Sequence, residues 1–177
     1  MPTRSRRRLV AFTILGLLAG LASSTAAQAS GSSARADGGW GVDSTAVHAA
    51  LDRFLTAFEN LDWQTFRLSF ADNVTVFFPV PEPPQRATGR DAVEAQFRRV
   101  FEEIRRANPT GPPFQRLVPE DLSIEPVARD VVLITFHLRN AERLARRTIV
   151  FHRDASGWRI VHLHASNVPT PRSSPPD

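Results

Sequence analysis

The amino-acid sequence predicts an α+β domain in which three N-terminal helices pack on a curved antiparallel sheet. Apolar residues recur with helical spacing in three segments that end near Ile104, and one short strand lies between these segments. From Leu122 to Val168 the pattern changes to the alternating or continuous apolarity of strands. Helices first and strands afterwards are typical of the α+β class. The predicted domain spans residues 43–168.

The first helix is predicted by one apolar stripe with Asp43 or Ser44 as its cap. The stripe consists of Val47, Ala50, Leu51, Phe54, Leu55, Phe58 and Leu61. A short second helix with Trp63, Phe66 and Phe70 on one side is expected to end at Asn73. Thr88 is expected to cap a third helix, with Asp91 at the capping-box position. The apolar stripe of this helix consists of Val93, Phe97, Val100, Phe101 and Ile104.

The strands are predicted by β-branched and aromatic runs and by the turns between them. Residues 74–78 form the first strand, and the four prolines of residues 79–86 predict an extended loop that can rim a pocket. Residues 122–125 alternate as a half-exposed strand, whereas residues 131–138 are apolar on both faces and are expected to be central. Residues 144–153 and 158–168 are expected to form a hairpin around the turn from Asp154 to Gly157.

Residues 1–29 have the three parts of a secretory signal peptide. A basic start is followed by an apolar stretch too short to span a membrane, and Ala27-Gln28-Ala29 offers a cleavage site after Ala29. The run Ser5-Arg6-Arg7-Arg8 resembles a twin-arginine signal, and an ordinary basic n-region explains it equally well. We therefore expect export to the periplasm or the medium, with no stable membrane anchor after cleavage. Residues 30–42 are expected to be a flexible linker, and residues 169–177 a disordered Pro/Ser tail.

The composition argues against a nucleic-acid partner. The formal charge is +4, but four of the 22 basic residues lie in the leader, which contains no acid. The remaining chain carries 18 basic and 18 acidic residues, so it lacks the basic excess of a nucleic-acid-binding domain. Cysteine is absent, which excludes disulfides and thiolate metal sites.

The closing segment resembles a known family. The residues from Phe151 to Asp154, followed by Gly157-Trp158-Arg159-Ile160-Val161-His162-Leu163-His164-Ala165-Ser166, are similar to the last hairpin of SnoaL-like domains in the NTF2-like superfamily. They look most like the association (hub) domain of calcium/calmodulin-dependent protein kinase. Asp62-Trp63 and the segment from Thr88 to Val93 fit the same pattern. The resemblance implies a cone-shaped fold with a pocket, assembled as a dimer or larger homo-oligomer.

The last hairpin supplies the candidate ligand site. If Arg153 pairs with Trp158, the antiparallel register continues with the pairs Phe151–Ile160, Ile149–His162 and Arg147–His164. Because side chains alternate along a strand, all of these residues lie on the same face. This register places Arg147, His162 and His164 on one largely apolar face. Such a group suits a carboxylate, with the arginine as a bidentate clamp and a histidine as donor or proton shuttle. Two aromatic residues can line the pocket or belong to the core: Trp63 and Phe78.

Other interpretations of these residues remain open. The histidines can be structural, each bonded to backbone or to Ser166. His162 and His164 supply only two ligands, so we expect no metal site, and no cofactor is predicted. The chain has no tyrosine, which the ketosteroid isomerases of the superfamily use, and no catalytic residue is assigned.

Three functions are consistent with the sequence. The first is an exported, self-associating module that binds an unidentified small molecule, apolar or carboxylate. The second is an isomerase, cyclase or hydrolase acting on a small hydrophobic substrate, which a carboxylate beside His162 or His164 would favour. The third is a purely structural oligomerisation domain with a filled cone.

Overall fold

The computed structural model of the protein describes residues 41–80, 85–140 and 143–170. The predicted signal peptide, the linker up to residue 40 and the tail from residue 171 lie outside these ranges. Within them, no helix is both long and apolar enough to span a bilayer.

Three helices precede most of the sheet: α1 (Ser44–Glu59), α2 (Trp63–Arg67) and α3 (Arg90–Ala107). Asp43 caps α1, and its carboxylate accepts a hydrogen bond of 3.1 Å from the amide of Ala46. Asp62 caps α2 in the same way, accepting from the amide of Thr65 at 3.2 Å. Hydrogen bonds from Thr65, through its side chain and then its backbone, lower the pKa of the Asp62 carboxyl. The predicted first helix is therefore confirmed, with Asp43 as its cap.

Two predicted helix boundaries are wrong. The second helix ends at Arg67, and Phe70 and Asn73 belong to the first strand instead. Gly89, with a φ of 84°, occupies the N-cap position of α3, and no side chain caps this helix. Thr88 ends a short strand that the sequence pattern did not predict.

Six strands form one curved mixed sheet in the order β2-β1-β6-β5-β4-β3. They are β1 (Phe70–Phe77), β2 (Arg86–Thr88), β3 (Glu120–Ala128), β4 (Val131–Arg139), β5 (Arg143–Asp154) and β6 (Gly157–Pro169). The pairings are antiparallel as expected, except that β1 and β6 run parallel. β4 is an interior strand, as expected for residues 131–138, although the two strands at the middle of the sheet are β6 and β5.

The hairpin of β5 and β6 is confirmed. Asp154 pairs with Gly157, which leaves Ala155 and Ser156 as a two-residue turn. Gly157 has a φ of 103°, a conformation that favours glycine, and the Asp154 carboxylate accepts from the amide of Ser156 at 2.7 Å. β6 extends to Pro169, which is the first residue of the predicted tail.

One hydrophobic core lies between the helices and one face of the sheet, which we call the inner face. The buried strand residues of the inner face are Phe70, Val74, Val76, Ala87, Val132, Ile134, Phe136, Ile149, Phe151, Trp158, Ile160, Leu163 and Ala165. The half-exposed residues between them point the other way and form the outer face. This division decides which of the predicted site residues can meet.

Candidate functional site

A β-bulge in β6 changes the predicted register of the last hairpin. Arg153 pairs with Trp158, and Phe151 with Ile160, as expected. The register then shifts between Val150 and Phe151, so that His162 lies opposite Val150, and His164 opposite Thr148. The predicted pairs Ile149–His162 and Arg147–His164 are therefore wrong. A bulge places two residues of one strand against one residue of its partner, which moves every later side chain to the other face.

The predicted cluster of one arginine and two histidines is consequently divided between the two faces. Arg147 lies opposite Ala165, on the inner face with Ile149. His162 and His164 lie on the outer face, where they pair with Thr75 and Phe77 of β1, respectively. The Phe77 ring centroid is 5.9 Å from that of His162 and 5.6 Å from that of His164. The two imidazoles pack against an aromatic ring instead of joining the guanidinium.

Arg147 is a largely desolvated cation on an apolar surface. Its cross-strand neighbours are Phe136 and Ala165, both buried. Burial lowers the pKa of the guanidinium from its ordinary value to about 10. Its Nη1 donates to the carbonyl oxygens of Arg146 and Ser166, at 2.8 and 3.3 Å. It has no carboxylate partner among the described residues, so its remaining donors, Nε and Nη2, suit an anionic ligand.

A cleft of about 450 Å³ opens next to this arginine, where β6 continues past the end of β1. The described residues that line it are Phe77, Phe78, Pro79, Val80, Gln85, His164, Ala165, Ser166 and Asn167. Arg147 is not among them, but its cross-strand partner Ala165 is, so the guanidinium stem starts one strand spacing away, about 5 Å. The amide of Phe78 donates to the carbonyl of Gln85 at 2.7 Å, which ties together the two ends of the proline-rich loop. Residues 81–84 of that loop lie outside the described ranges.

The two aromatic candidates have different positions. Phe78 is buried and lines the cleft, and its ring centroid is 5.0 Å from that of Phe97 in the core. Trp63 is absent from the lining. Its ring packs against Phe101 at 5.8 Å, and the Arg98 guanidinium lies 4.0 Å above it. Of the five predicted site residues, Phe78, His164 and Arg147 are therefore at or beside the cleft.

Ionisable partners for general acid–base chemistry lie elsewhere in the sheet. The described histidine–carboxylate pairs are His137 with Asp121, at 3.1 Å, and His152 with Asp130, at 3.4 Å. Neither His162 nor His164 has a carboxylate partner in the described part of the chain. The same residues contain no cluster of three or more His, Asp or Glu side chains able to hold a metal ion.

With the fold and cleft defined, the chain can be compared with known proteins. The sequence model of the SnoaL-like domain family matches residues 47–171. This chain belongs to the SnoaL-like domain family. The match includes all the helices and strands from α2 onward and confirms the resemblance carried by the closing hairpin. No curated protein sequence matches this SnoaL-like protein.

Solved structures confirm that the SnoaL-like domain has the NTF2-like fold. An NTF2-like protein of unknown function from Pseudomonas putida is 17% identical, with a TM-score of 0.58 over 69% of this chain and 84% of that one. A ketosteroid isomerase-like protein from Erwinia carotovora atroseptica is 18% identical, with a TM-score of 0.57 over 72% and 96% of the chains. A provisionally assigned calcium/calmodulin-dependent protein kinase type II association domain from Thiobacillus denitrificans is 28% identical, with a TM-score of 0.52 over 68% and 94%.

The SnoaL-like cleft also contains residues that the sequence pattern did not single out. Ala165 and Asn167 follow Leu163 at intervals of two residues and share its inner face. A change in the apolar pattern of β6 is the feature of the sequence from which their inward orientation could have been predicted. Trp158 and Ile160 are even-numbered apolar positions, whereas Leu163 and Ala165 are odd-numbered ones, which indicates a bulge between them.

Proposed function

We propose that this protein is an exported, self-associating module that binds a small apolar carboxylic acid in the cleft beside β6. One observation supports the ligand class most directly, namely the half-buried, largely desolvated guanidinium of Arg147 without a carboxylate partner among the described residues. An unpaired buried cation lowers stability, so a bound anion that completes its hydrogen bonds is favoured. The aromatic and aliphatic walls formed by Phe78 and Val80 suit the apolar part of such a ligand.

Phenylacetate is expected to bind and to raise the melting temperature, whereas the neutral analogue phenylacetamide is not. A ligand that binds only the folded state at a hundred times its dissociation constant stabilises that state by about 2.7 kcal/mol. For a domain of this size, such a gain corresponds to a shift of roughly 5–10 °C. Thermal denaturation with each compound, followed by calorimetric titration, measures the effect. Equal shifts with the acid and the amide would contradict a role for the guanidinium.

The outer face of the sheet supports self-association. The three helices bury their apolar residues on the inner face, and no described element covers the outer one. Its centre is a row of half-exposed residues in which Val150 lies between Leu133 and His162. The similar protein from Thiobacillus denitrificans is itself a provisionally assigned association domain. A second copy of this chain placed on the face would remove these apolar side chains from water.

Val150→Arg is therefore expected to convert the assembly to monomers. It introduces a charge at the centre of the proposed contact, and a symmetric interface would bring two such charges together. Analytical ultracentrifugation measures the change in mass. Glu103→Arg, on the exposed side of α3, is the matched control and should keep the assembly of the parent protein. A monomeric parent protein, or a Val150→Arg variant with unchanged mass, would be evidence against this interface.

Export is the third part of the proposal. We expect the protein recovered outside the cytoplasm to begin at Ser30, since the small residues Ala27 and Ala29 flank Gln28 at the cleavage position. Intact-mass measurement of the protein from each cell fraction tests this. Replacing Arg6 and Arg7 by Lys should block export only if the twin-arginine route carries it. A full-length chain confined to the cytoplasm would contradict export.

A further inference from the structure

The amide of Asn167 is a polar group in the cleft that the proposed carboxylate does not use. Asn167 lines the cleft, and its Oδ1 is shielded from solvent with no hydrogen-bond partner among the described residues. Leaving a buried acceptor unpaired is costly, and such groups are rare in folded proteins. A ligand hydroxyl would supply the missing hydrogen bond once the amide turns toward the cleft.

The position of Asn167 relative to Arg147 restricts where that hydroxyl must be. Arg147 lies opposite Ala165, and Asn167 lies opposite Ala145, so the two side chains are diagonal neighbours on the inner face. Diagonal neighbours on adjacent strands are about 7 Å apart at their Cβ atoms, a distance that long polar side chains bridge. A group bonded to the amide is therefore close to a carboxylate bonded to the guanidinium. Because a hydroxyl both donates and accepts, it suits either orientation of the amide.

We propose that the preferred ligands are 2-hydroxy carboxylic acids with an aromatic or branched apolar substituent. Arg147 binds the carboxylate, the Asn167 amide binds the adjacent hydroxyl, and the substituent packs against Phe78 and Val80. This inference rests on the proposed function, because it requires that the cleft binds carboxylic acids at all. It goes further by assigning Asn167 as the residue that selects for the hydroxyl.

Calorimetric titration with mandelate and phenylacetate tests the assignment, since the two acids differ by one hydroxyl. The protein should bind mandelate about tenfold more tightly, as one satisfied buried hydrogen bond predicts. In Asn167→Leu, which keeps the size of the side chain, the ratio of the two affinities should fall to less than about twofold. Asn167→Asp provides a second variant. Its carboxylate would pair with Arg147, so both acids should lose affinity.

The possible failures are distinguishable. Equal affinities for the two acids, or a mandelate preference that survives in Asn167→Leu, would overturn the role of Asn167 and leave the carboxylate site intact. An Asn167→Asp variant that binds both acids as the parent does would show that the amide is not near the carboxylate, which also overturns it. Binding of neither acid to the parent protein would refute the proposed function, and this inference with it.

Discussion

Arg147→Met is expected to abolish binding of phenylacetate without lowering the stability of the folded protein. The two effects have one cause. Methionine keeps the unbranched, flexible stem that packs against Phe136 and Ala165, but it removes a charge that has no carboxylate partner in the described structure. Replacing a poorly compensated buried ion with an apolar side chain is commonly neutral or stabilising. A cation that lowers stability in the absence of a ligand is then explained by the ligand that it binds.

The lowered pKa of Arg147 gives the sign and the size of the stability effect. A cation whose pKa falls to about 10 in the folded state binds its proton more weakly there than in the unfolded chain. The resulting loss of stability is fully present at neutral pH and is relieved only as the pH rises through about 10. The lowered pKa corresponds to a loss of roughly 3 kcal/mol in the free energy of unfolding. The variant regains at most this amount, because it also loses the two hydrogen bonds from Nη1. Arg147→Met should therefore be between equally stable and about 3 kcal/mol more stable at pH 7.

Urea denaturation and phenylacetate titration of the same preparations measure both effects. Arg98→Met is the control, because Arg98 is an exposed arginine that lies over Trp63 and is remote from the cleft lining. It should retain ligand binding at the parent affinity. If Arg147→Met were instead destabilised by more than about 1.5 kcal/mol and phenylacetate did not bind the parent, Arg147 would be a structural tie between β5 and β6.

The local patterns in the sequence predicted the helices and the hairpin well, because each depends on residues near one another in the chain. The α1 stripe, the Asp43 cap and the turn at Ala155 are of this kind. Phe70 shows the limit of the method. It lies four residues after Phe66, as a helix requires, yet it pairs with Ile160 in the parallel contact between β1 and β6. That contact joins segments about ninety residues apart, and no local period reports it.

The candidate site was predicted less well because it depends on a register that one residue can reverse. Strict alternation from Trp158 places His162 and His164 inside, whereas the bulge places Leu163 and Ala165 there instead. Burying the two apolar residues and exposing the imidazoles is the energetically better arrangement. The position of Arg147 was unaffected because it lies on β5, whose apolar alternation is continuous. The guanidinium could thus be predicted on the inner face, but its neighbours could not.

Phe66→Ala is expected to cause the largest loss of stability, about 3–5 kcal/mol. Phe66 is fully buried at the centre of an aromatic cluster. Its ring centroid lies between 4.9 and 6.2 Å from those of six other rings, namely Phe54, Phe58, Trp63, Phe70, Phe97 and Phe101. It also lies on α2, a helix of five residues, which is too short to be stable without tertiary packing. Removing the ring leaves a cavity that the surrounding rings cannot readily fill.

Leu68→Ala is the control for the loss of an apolar side chain in the same segment. Leu68 is 57% exposed, so its replacement should change the free energy of unfolding by less than about 0.5 kcal/mol. Urea denaturation followed by far-UV circular dichroism compares the two variants. A cost below about 1 kcal/mol for Phe66→Ala would contradict the close packing of the cluster, because cavity formation alone should exceed that value.

Phe66→Leu separates the loss of volume from the loss of ring contacts. Leucine fills most of the space, so the expected cost is smaller, about 1–2 kcal/mol, and the remainder reflects edge-to-face packing. The cluster also connects to the cleft, since Phe97 packs against both Phe66 and Phe78, at 4.9 and 5.0 Å between ring centroids. If Phe66 fixes Phe97, and Phe97 fixes the wall formed by Phe78, the alanine variant should bind phenylacetate more weakly under conditions in which it remains folded. Unchanged affinity in that variant would mean that Phe78 is held by the sheet alone.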